Sequence, residues 1–572
     1  MTKRVLVIVG LAAAVAAIAA YTLRPETGVG GDAPTIDEMA ADVGRNVMTH
    51  LKRGDYPGRS GDVIAVPKPY SYMIGRWDYT SLGSREPWVN TTHPNPWDYL
   101  TEVPIILRGP GVPEGITNEA PVDIAGLAST YAHLLDVDGY EGAQPPLPGG
   151  IEDGTKAPKV ILSIVIDGAG WNVLRQHPQS WPTIARLRAE GTTYTAATIG
   201  SAPSTTGALH ATFGTGVYPV DHGIIGNVFR DESGEILDVY LDDADASYLE
   251  KPTVAELWDE QNDGDPVIGT ISYEGWHLGM IGHGAQREGG DRDYAALWDV
   301  EEMKWWINED FFTLPTGLAE TDIDALERYE ESLDGRDGLE DGNWYGHELD
   351  LLREPTVRGA SPAFAKLTGD AVVGMLTDEP FGEDSLTDIA WIELKAPDSA
   401  GHAWNMLRPE VGDVLAETDA QIARMLAVLD EKVGRDNYLV SISADHGQQP
   451  LAEMFGAWRI SIPEVGDDIN DRFGNIVVKV TTSDVYLNHE AMESNDVSAE
   501  DVARFLGAYT LGDNIPEEVP GADRVPESRL DDRVYAGAFP GSYLRSASYE
   551  ELEELGDGIY PEGKFPLSSI EQ

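Results

Sequence analysis

Short apolar runs rich in Val and Ile recur along the chain, over residues 61–66, 103–107, 160–166, 389–394 and 438–443, and each gives way to a polar loop. Runs that are apolar on both faces predict strands covered on both sides, the mark of a mainly parallel sheet. Helical periodicities lie between them, as over residues 414–433 and 499–506. The alternation predicts an α/β fold with a doubly wound sheet, whose chemistry gathers at the carboxyl ends of the strands. Residues 138–158 are rich in Gly and Pro and read as a linker. The aromatic, acidic stretch at about 273–384, with Trp305-Trp306 and Trp344-Tyr345, has no strong strand series and is expected to be an inserted cap. No internal repeat is evident.

The amino end has a different pattern. Lys3 and Arg4 precede an unbroken apolar run over residues 5–23, and the sequence turns polar at Arg24-Pro25-Glu26-Thr27. This is the form of an export signal, and Ala17-Ile18-Ala19 is only a mediocre cleavage site. Residues 1–24 are therefore expected to remain as a membrane anchor, with the rest of the chain exported to the extracytoplasmic side.

Composition narrows the chemistry. Among 572 residues there are 98 acidic and 40 basic side chains, a net charge of −58, and no cysteine. Thiol nucleophiles, Cys zinc sites, iron–sulfur clusters and disulfides are excluded. The acidic excess argues against nucleic-acid binding, and 14 Trp with 23 Tyr argue against disorder. We read the charge as a surface adapted to high salt, where screening makes like-charge repulsion tolerable.

Three of the predicted strands end in carboxylates: Asp167, Asp398 and Asp445, the last followed by His446. His402 lies one helical turn after Asp398. A lone Asp after a strand is ordinarily a turn former or helix cap, but the mixed Asp/His set without thiolate suits zinc or another divalent ion. Without a cation such carboxylates would repel one another. A hydroxyl-rich block, Ser201-Ala202-Pro203-Ser204-Thr205-Thr206-Gly207, opens a helical pattern. Thr206 there could serve as a nucleophile activated by metal and helix end, or Ser204 or Thr205 could simply cap the helix.

At these blocks the chain resembles the alkaline-phosphatase superfamily, in particular its type I phosphodiesterase/nucleotide pyrophosphatase branch. The resembling residues are Val165-Ile166-Asp167-Gly168, the stretch 203–227 with Tyr218-Pro219 and His222-Gly223-Ile224, Asp398 with His402, and Ala444-Asp445-His446-Gly447. The resemblance implies an alkaline-phosphatase-like three-layer sandwich and two divalent metal ions, most simply zinc. It implies that Asp167, Asp445, His446 and the nucleophile Thr206 hold one ion, that Asp398 and His402 hold the other, and that Asn227 donates to a phosphate oxygen. His210 and His222 match positions that are not ligands.

The family supplies one further histidine late in the chain. Here the only histidine after the Asp445-His446 block is His489, in a segment resembling an accessory strand. The missing block resembles residues near the front instead: Gly61-Asp62-Val63-Ile64, Thr92-His93-Pro94 and Val122-Asp123-Ile124. We therefore expect a circular permutation, with residues 46–137 as the family's closing segment, residues 159–545 as the catalytic core, residues 546–572 as a tail, and His93 as third ligand of the second ion. Pro94 stands where the family usually has Gly. The implied function is a metal-dependent phosphodiesterase or nucleotide pyrophosphatase acting through phospho-threonine on a small phosphate ester or nucleotide. An alkaline phosphomonoesterase, an envelope phosphotransferase and an inactive surface binding module are the alternatives. The monoesterase branch carries a Lys/Arg pair that residues 272–276 lack.

Overall fold

The computed structural model describes residues 33–75, 90–240, 244–515 and 525–560, so the apolar run at residues 5–23 lies outside it. The main sheet has ten strands. From one edge it runs Lys304–Trp306, Tyr294–Asp299, Ile268–Ser272, Asp388–Leu394, Val160–Ile166, Tyr438–Ser443, Glu102–Arg108, Thr192–Thr198 and Ile116–Asn118, and Val122–Asp123 also pairs with Thr192–Thr198. Only Glu102–Arg108 and Lys304–Trp306 run against the rest.

The centre of the sheet is the Val160–Ile166 strand, buried along its whole length. Ile161 and Ile164 stand beside Ile389 and Ile392 on one side and beside Leu439 and Ile442 on the other. Each such side chain contributes about 2 kcal/mol by leaving water. One group of helices (Ala125–Leu135, Thr206–Thr215, Val254–Gln261) packs together over one face. A second (Pro182–Glu190, Pro362–Asp378, Pro409–Lys432) covers the other, completing the α/β three-layer sandwich.

A second, smaller core stands beside the first. Its sheet has the order Val477–Val480, Asp484–Leu487, Val63–Pro67, Tyr535–Pro540, all antiparallel, and helices Ile36–Gly54 and Ala499–Ala508 pack on it. Met48, Val502, Leu506, Val485 and Phe539 fill the interior. Thr35 starts the first helix with a reciprocal cap to Glu38. Gly44 kinks it at φ +83°, where a Cβ would stand 2.6 Å from the backbone of Asp557. The close approach lets Arg45 N–H donate to Gly556 O at 3.0 Å and pins the chain's last described turn.

Two expectations about layout look different in three dimensions. The stretch 273–384 is not wholly a cap, because Tyr294–Asp299 and Lys304–Trp306 extend the main sheet. The segment 46–137 divides between two cores: Val63–Pro67 joins the small sheet, whereas Glu102–Arg108 lies inside the large one. Residues 138–158 contain neither helix nor strand.

Candidate metal centre and active site

Asp388–Leu394, Val160–Ile166 and Tyr438–Ser443 are parallel neighbours, so their carboxyl ends deliver Asp398, Asp167 and Asp445-His446 to one edge. Asp167 N–H donates to Leu394 O at 3.2 Å, fixing the exit of its strand. Asp398 and His402 share one face of helix Ala396–Trp404, as a four-residue spacing requires. His93 enters from residues that precede helix Asp98–Thr101.

These side chains meet. His446 Nε2 lies 3.1 Å from Asp445 Oδ2 and 3.4 Å from Asp167 Oδ1. His93 Nε2 lies 3.5 Å from Asp398 Oδ1, and His402 Nε2 lies 3.4 Å from Asp398 Oδ2. The His93 and His446 rings stack at 3.5 Å between centroids. Potential ligand atoms of His93, Asp398 and His402 all fall within 4.8 Å of one another, as do those of Asp167, Asp398 and His446. The two sets share Asp398, so two ion positions would be adjacent.

The imidazoles are held in one tautomer. His93 Nδ1–H donates to Ser204 O at 2.8 Å, His446 Nδ1–H to Gly447 O at 3.0 Å, and His402 Nδ1–H to Thr91 O. A carbonyl can only accept, so each Nδ1 carries its proton, and the neutral form of each ring turns its Nε2 lone pair toward the carboxylates. Asp167 Oδ1, Asp445 Oδ2 and His446 Nε2 are buried and form no hydrogen bond. Buried atoms of this kind are ordinarily satisfied, and carboxylate oxygens converging on an Nε2 without a hydrogen-bond partner fit a metal ion. The donor set of carboxylate oxygen and imidazole nitrogen suits zinc.

The electrostatics agree. Burial opposes charge on Asp167, yet Lys395 and His277 outweigh it and hold its carboxyl well below the usual range. Burial and Asp167 raise Asp445. Burial lowers His446, but Asp445 and Asp167 overcome it and lift the imidazole to about 9.

Thr206 is the first residue of helix Thr206–Thr215 and is 2 % exposed. Neither candidate cap is used as one. Thr205 makes no side-chain cap bond, and the Ser204 hydroxyl donates instead to the carbonyls of His93 and Asn95, tying the two loops together. Gly207 N–H donates to Asn227 Oδ1 at 2.9 Å, which brings Asn227 beside Thr206 and leaves its amide NH2 as a donor.

His489 lies elsewhere, on Asp62 at the small sheet. His222 is buried, bridging Thr212 and the Ile224 N–H. His210 Nδ1–H donates to Thr206 O, and its ring lies within ligand reach of Asp167 and His277. Sequence reasoning missed three neighbours. Lys395 Nζ is 2.8 Å from Asp167 Oδ2 and 2.6 Å from Asp398 Oδ2; His277 Nε2 is 3.6 Å from Asp167 Oδ2; Gln448 donates to Asp398 Oδ1. Only Lys395 left a signal, as a lone cation between an apolar strand and the Asp398 turn.

A mainly parallel three-layer sandwich with an Asp/His cluster, a candidate metal centre, at its carboxyl edge is the architecture of a hydrolase of the alkaline-phosphatase superfamily. Within that class the chain belongs to the type I phosphodiesterase/nucleotide pyrophosphatase family, whose model matches residues 161–536. It is an enzyme that hydrolyses phosphoric esters. It is 22 % identical over 481 residues to alkaline phosphatase PafA of Elizabethkingia meningoseptica, covering 74 % of this chain and 85 % of that one. It is 24 % identical over 399 residues to a Myroides odoratus protein named calcium-transporting ATPase, covering 60 % and 72 % respectively. The crystal structure of wild-type PafA superposes with a TM-score of 0.51 at 18 % identity, over 67 % of this chain and 84 % of that one.

Proposed function

We propose that this enzyme is a zinc-dependent phosphodiesterase or nucleotide pyrophosphatase that works through a phospho-threonine at Thr206. The observation that carries the reading is the set of three imidazoles, His93, His402 and His446, each locked by a backbone carbonyl so that Nε2 faces Asp398, Asp167 or Asp445. Zinc bound by Asp167, Asp445, His446 and Thr206, and by Asp398, His402 and His93, would supply positive charge to phosphoryl oxygens and favour the threonine alkoxide. Thr206 Oγ1 attacks phosphorus in line, forming the Oγ–P bond as the bond to the leaving oxygen breaks. The helix amino end and the Asn227 amide NH2 donate toward the equatorial oxygens. The hydroxyl proton lost by Thr206 ends on the departing oxygen; water then forms a new O–P bond as the Oγ–P bond breaks, and one of its protons goes to Thr206 Oγ1.

Preference for a diester rests on what surrounds the phosphate. Residues 272–276 carry no Lys/Arg pair, and Lys395 is already engaged by two carboxylates. Tyr273 and Trp276 in that segment are aromatic rather than cationic, which suits a diester better than the dianion of a monoester. Thr206→Ala should lower turnover of a bis-aryl phosphate by about 10⁴-fold or more with the fold intact. Turnover within tenfold of wild type would reject Thr206 as nucleophile. Parallel rates on an aryl monoester and a nucleotide pyrophosphate decide substrate class.

The same reading includes the permuted order. Glu102–Arg108 and His93 precede the matched residues 161–536, yet the strand lies inside the sheet and the histidine faces Asp398. A chain beginning at residue 159, with residues 33–137 rejoined after its end, should fold and retain turnover; an unfolded or inactive product would refute the permutation. We place the enzyme outside the cell, tethered by residues 1–24, in a salt-rich medium that its acidic excess fits. Release from membranes on deleting that segment tests the tether.

A further inference from the structure

A second cluster of carboxylates uses none of the residues above. Asp259 lies near the end of helix Val254–Gln261, Asp293 immediately precedes strand Tyr294–Asp299, and Asp291 sits two residues earlier in the connecting loop. One oxygen from each of the three falls within 4.8 Å of the others. Asp259 is 3 % exposed and Asp293 7 % exposed. Asp259 Oδ1 is buried and has no hydrogen-bond partner. Asp259 and Asp293 line a narrow cleft with room for a single water-sized body. Asp291 is solvent-exposed but folds inward, its Oδ2 3.3 Å from the point where a Cβ on Gly264 would stand.

The neighbouring charges are accounted for. Glu256 is not a free ligand, since its Oε2 accepts Thr253 N–H and its Oε1 accepts His283. Arg287, also on the cleft wall, pairs with Glu260 at 3.2 Å. Burial and then Asp259, Asp291 and Glu256 all push the Asp293 carboxyl well above its usual range, and Asp259 is pushed up to about 7. Three carboxyl groups this close cannot all ionise without a cation among them.

We propose that Asp259, Asp291 and Asp293 form a calcium site that ties the end of helix Val254–Gln261 to the loop entering strand Tyr294–Asp299. The donors are oxygen only, which selects a hard cation over zinc. The exposed side at Asp291 leaves room for water ligands, and calcium accepts irregular six- to eight-fold coordination where magnesium demands an octahedron. The ion stabilises the insertion at its root, independently of the phosphate-ester chemistry.

The test uses the full-length, zinc-loaded enzyme dialysed against calcium chloride, with both metals counted by mass spectrometry. Wild type should retain one calcium per chain and melt several degrees higher in calcium than without it. Asp259→Asn and the solvent-exposed Asp291→Asn should lose the calcium and the thermal shift while keeping zinc and turnover. Wild type without bound calcium, or both variants retaining as much as wild type, would overturn the proposal. Asp291→Asn keeps the test decisive if Asp259→Asn does not fold.

Discussion

The two acidic clusters of this molecule differ in what stands among the carboxylates. At the sheet edge, three aspartates are interleaved with three oriented imidazoles and the ammonium of Lys395. At the helix end, the three aspartates that meet within 4.8 Å have no nitrogen ligand in their group. Crowded carboxyl groups would draw a cation to each. Donor chemistry decides which cation stays, because imidazole nitrogen favours zinc and an all-oxygen set favours calcium.

The largest effect that separates them should come from His93. His93→Gln removes a nitrogen from the sheet-edge cluster and should cost one zinc per chain and more than about 100-fold in turnover, with calcium retention untouched. Metal counting checks both halves, and unchanged zinc would remove His93 from the ligand set. A smaller effect should follow from Lys395→Met. With its ammonium gone, Asp167 and Asp398 confront each other in a buried site, and the metal-free protein should lose about 3 kcal/mol. Saturating zinc should restore most of that stability, so melting with and without zinc separates a charge-balancing lysine from a merely packed one.

The mildest contrast is in pH. In the metal-free protein burial lowers His446, but Asp445 and Asp167 outweigh it and raise the imidazole to about 9. A histidine raised above 6.5 stabilises the metal-free fold below pH 6.5 and loses that contribution as pH rises through 9. Zinc requires the neutral ring, so zinc affinity should climb across the same window. Asp259 is pushed up to about 7 and Asp293 well above the carboxylate range, chiefly by burial, so calcium must displace protons from carboxyl groups where zinc displaces one from an imidazole. Paired titrations between pH 6 and 9.5 should show both affinities rising with pH, and a calcium affinity that falls with pH would break the comparison.

The sheet edge was readable in the sequence because three apolar runs end in Asp, and parallel strands put their ends together without further information. His93 was readable only through the order of blocks, since nothing local distinguishes Thr92-His93-Pro94 from a surface turn. Lys395 and His277 face Asp167 through side-chain directions that no spacing encodes. Tyr294–Asp299 mixes Tyr, Ala, Leu and Trp without alternation, so its place beside Ile268–Ser272 was hidden inside an expected cap. The small sheet escaped notice because Val63–Pro67 and Tyr535–Pro540 are short and meet only across most of the chain's length. Asp259, Asp291 and Asp293 gave no signal among 98 acidic residues.

Glu102–Arg108 has a consequence for the order of events at the ribosome. The strand is made early, yet its two partners, Thr192–Thr198 and Tyr438–Ser443, come later, the second by hundreds of residues. At about 5–20 residues per second that interval is about 15–60 s, during which Val103, Ile105, Ile106 and Leu107 have no complete slot to enter. Until then the strand has at most one of its two neighbours, and closure of the large sheet awaits the arrival of Tyr438–Ser443.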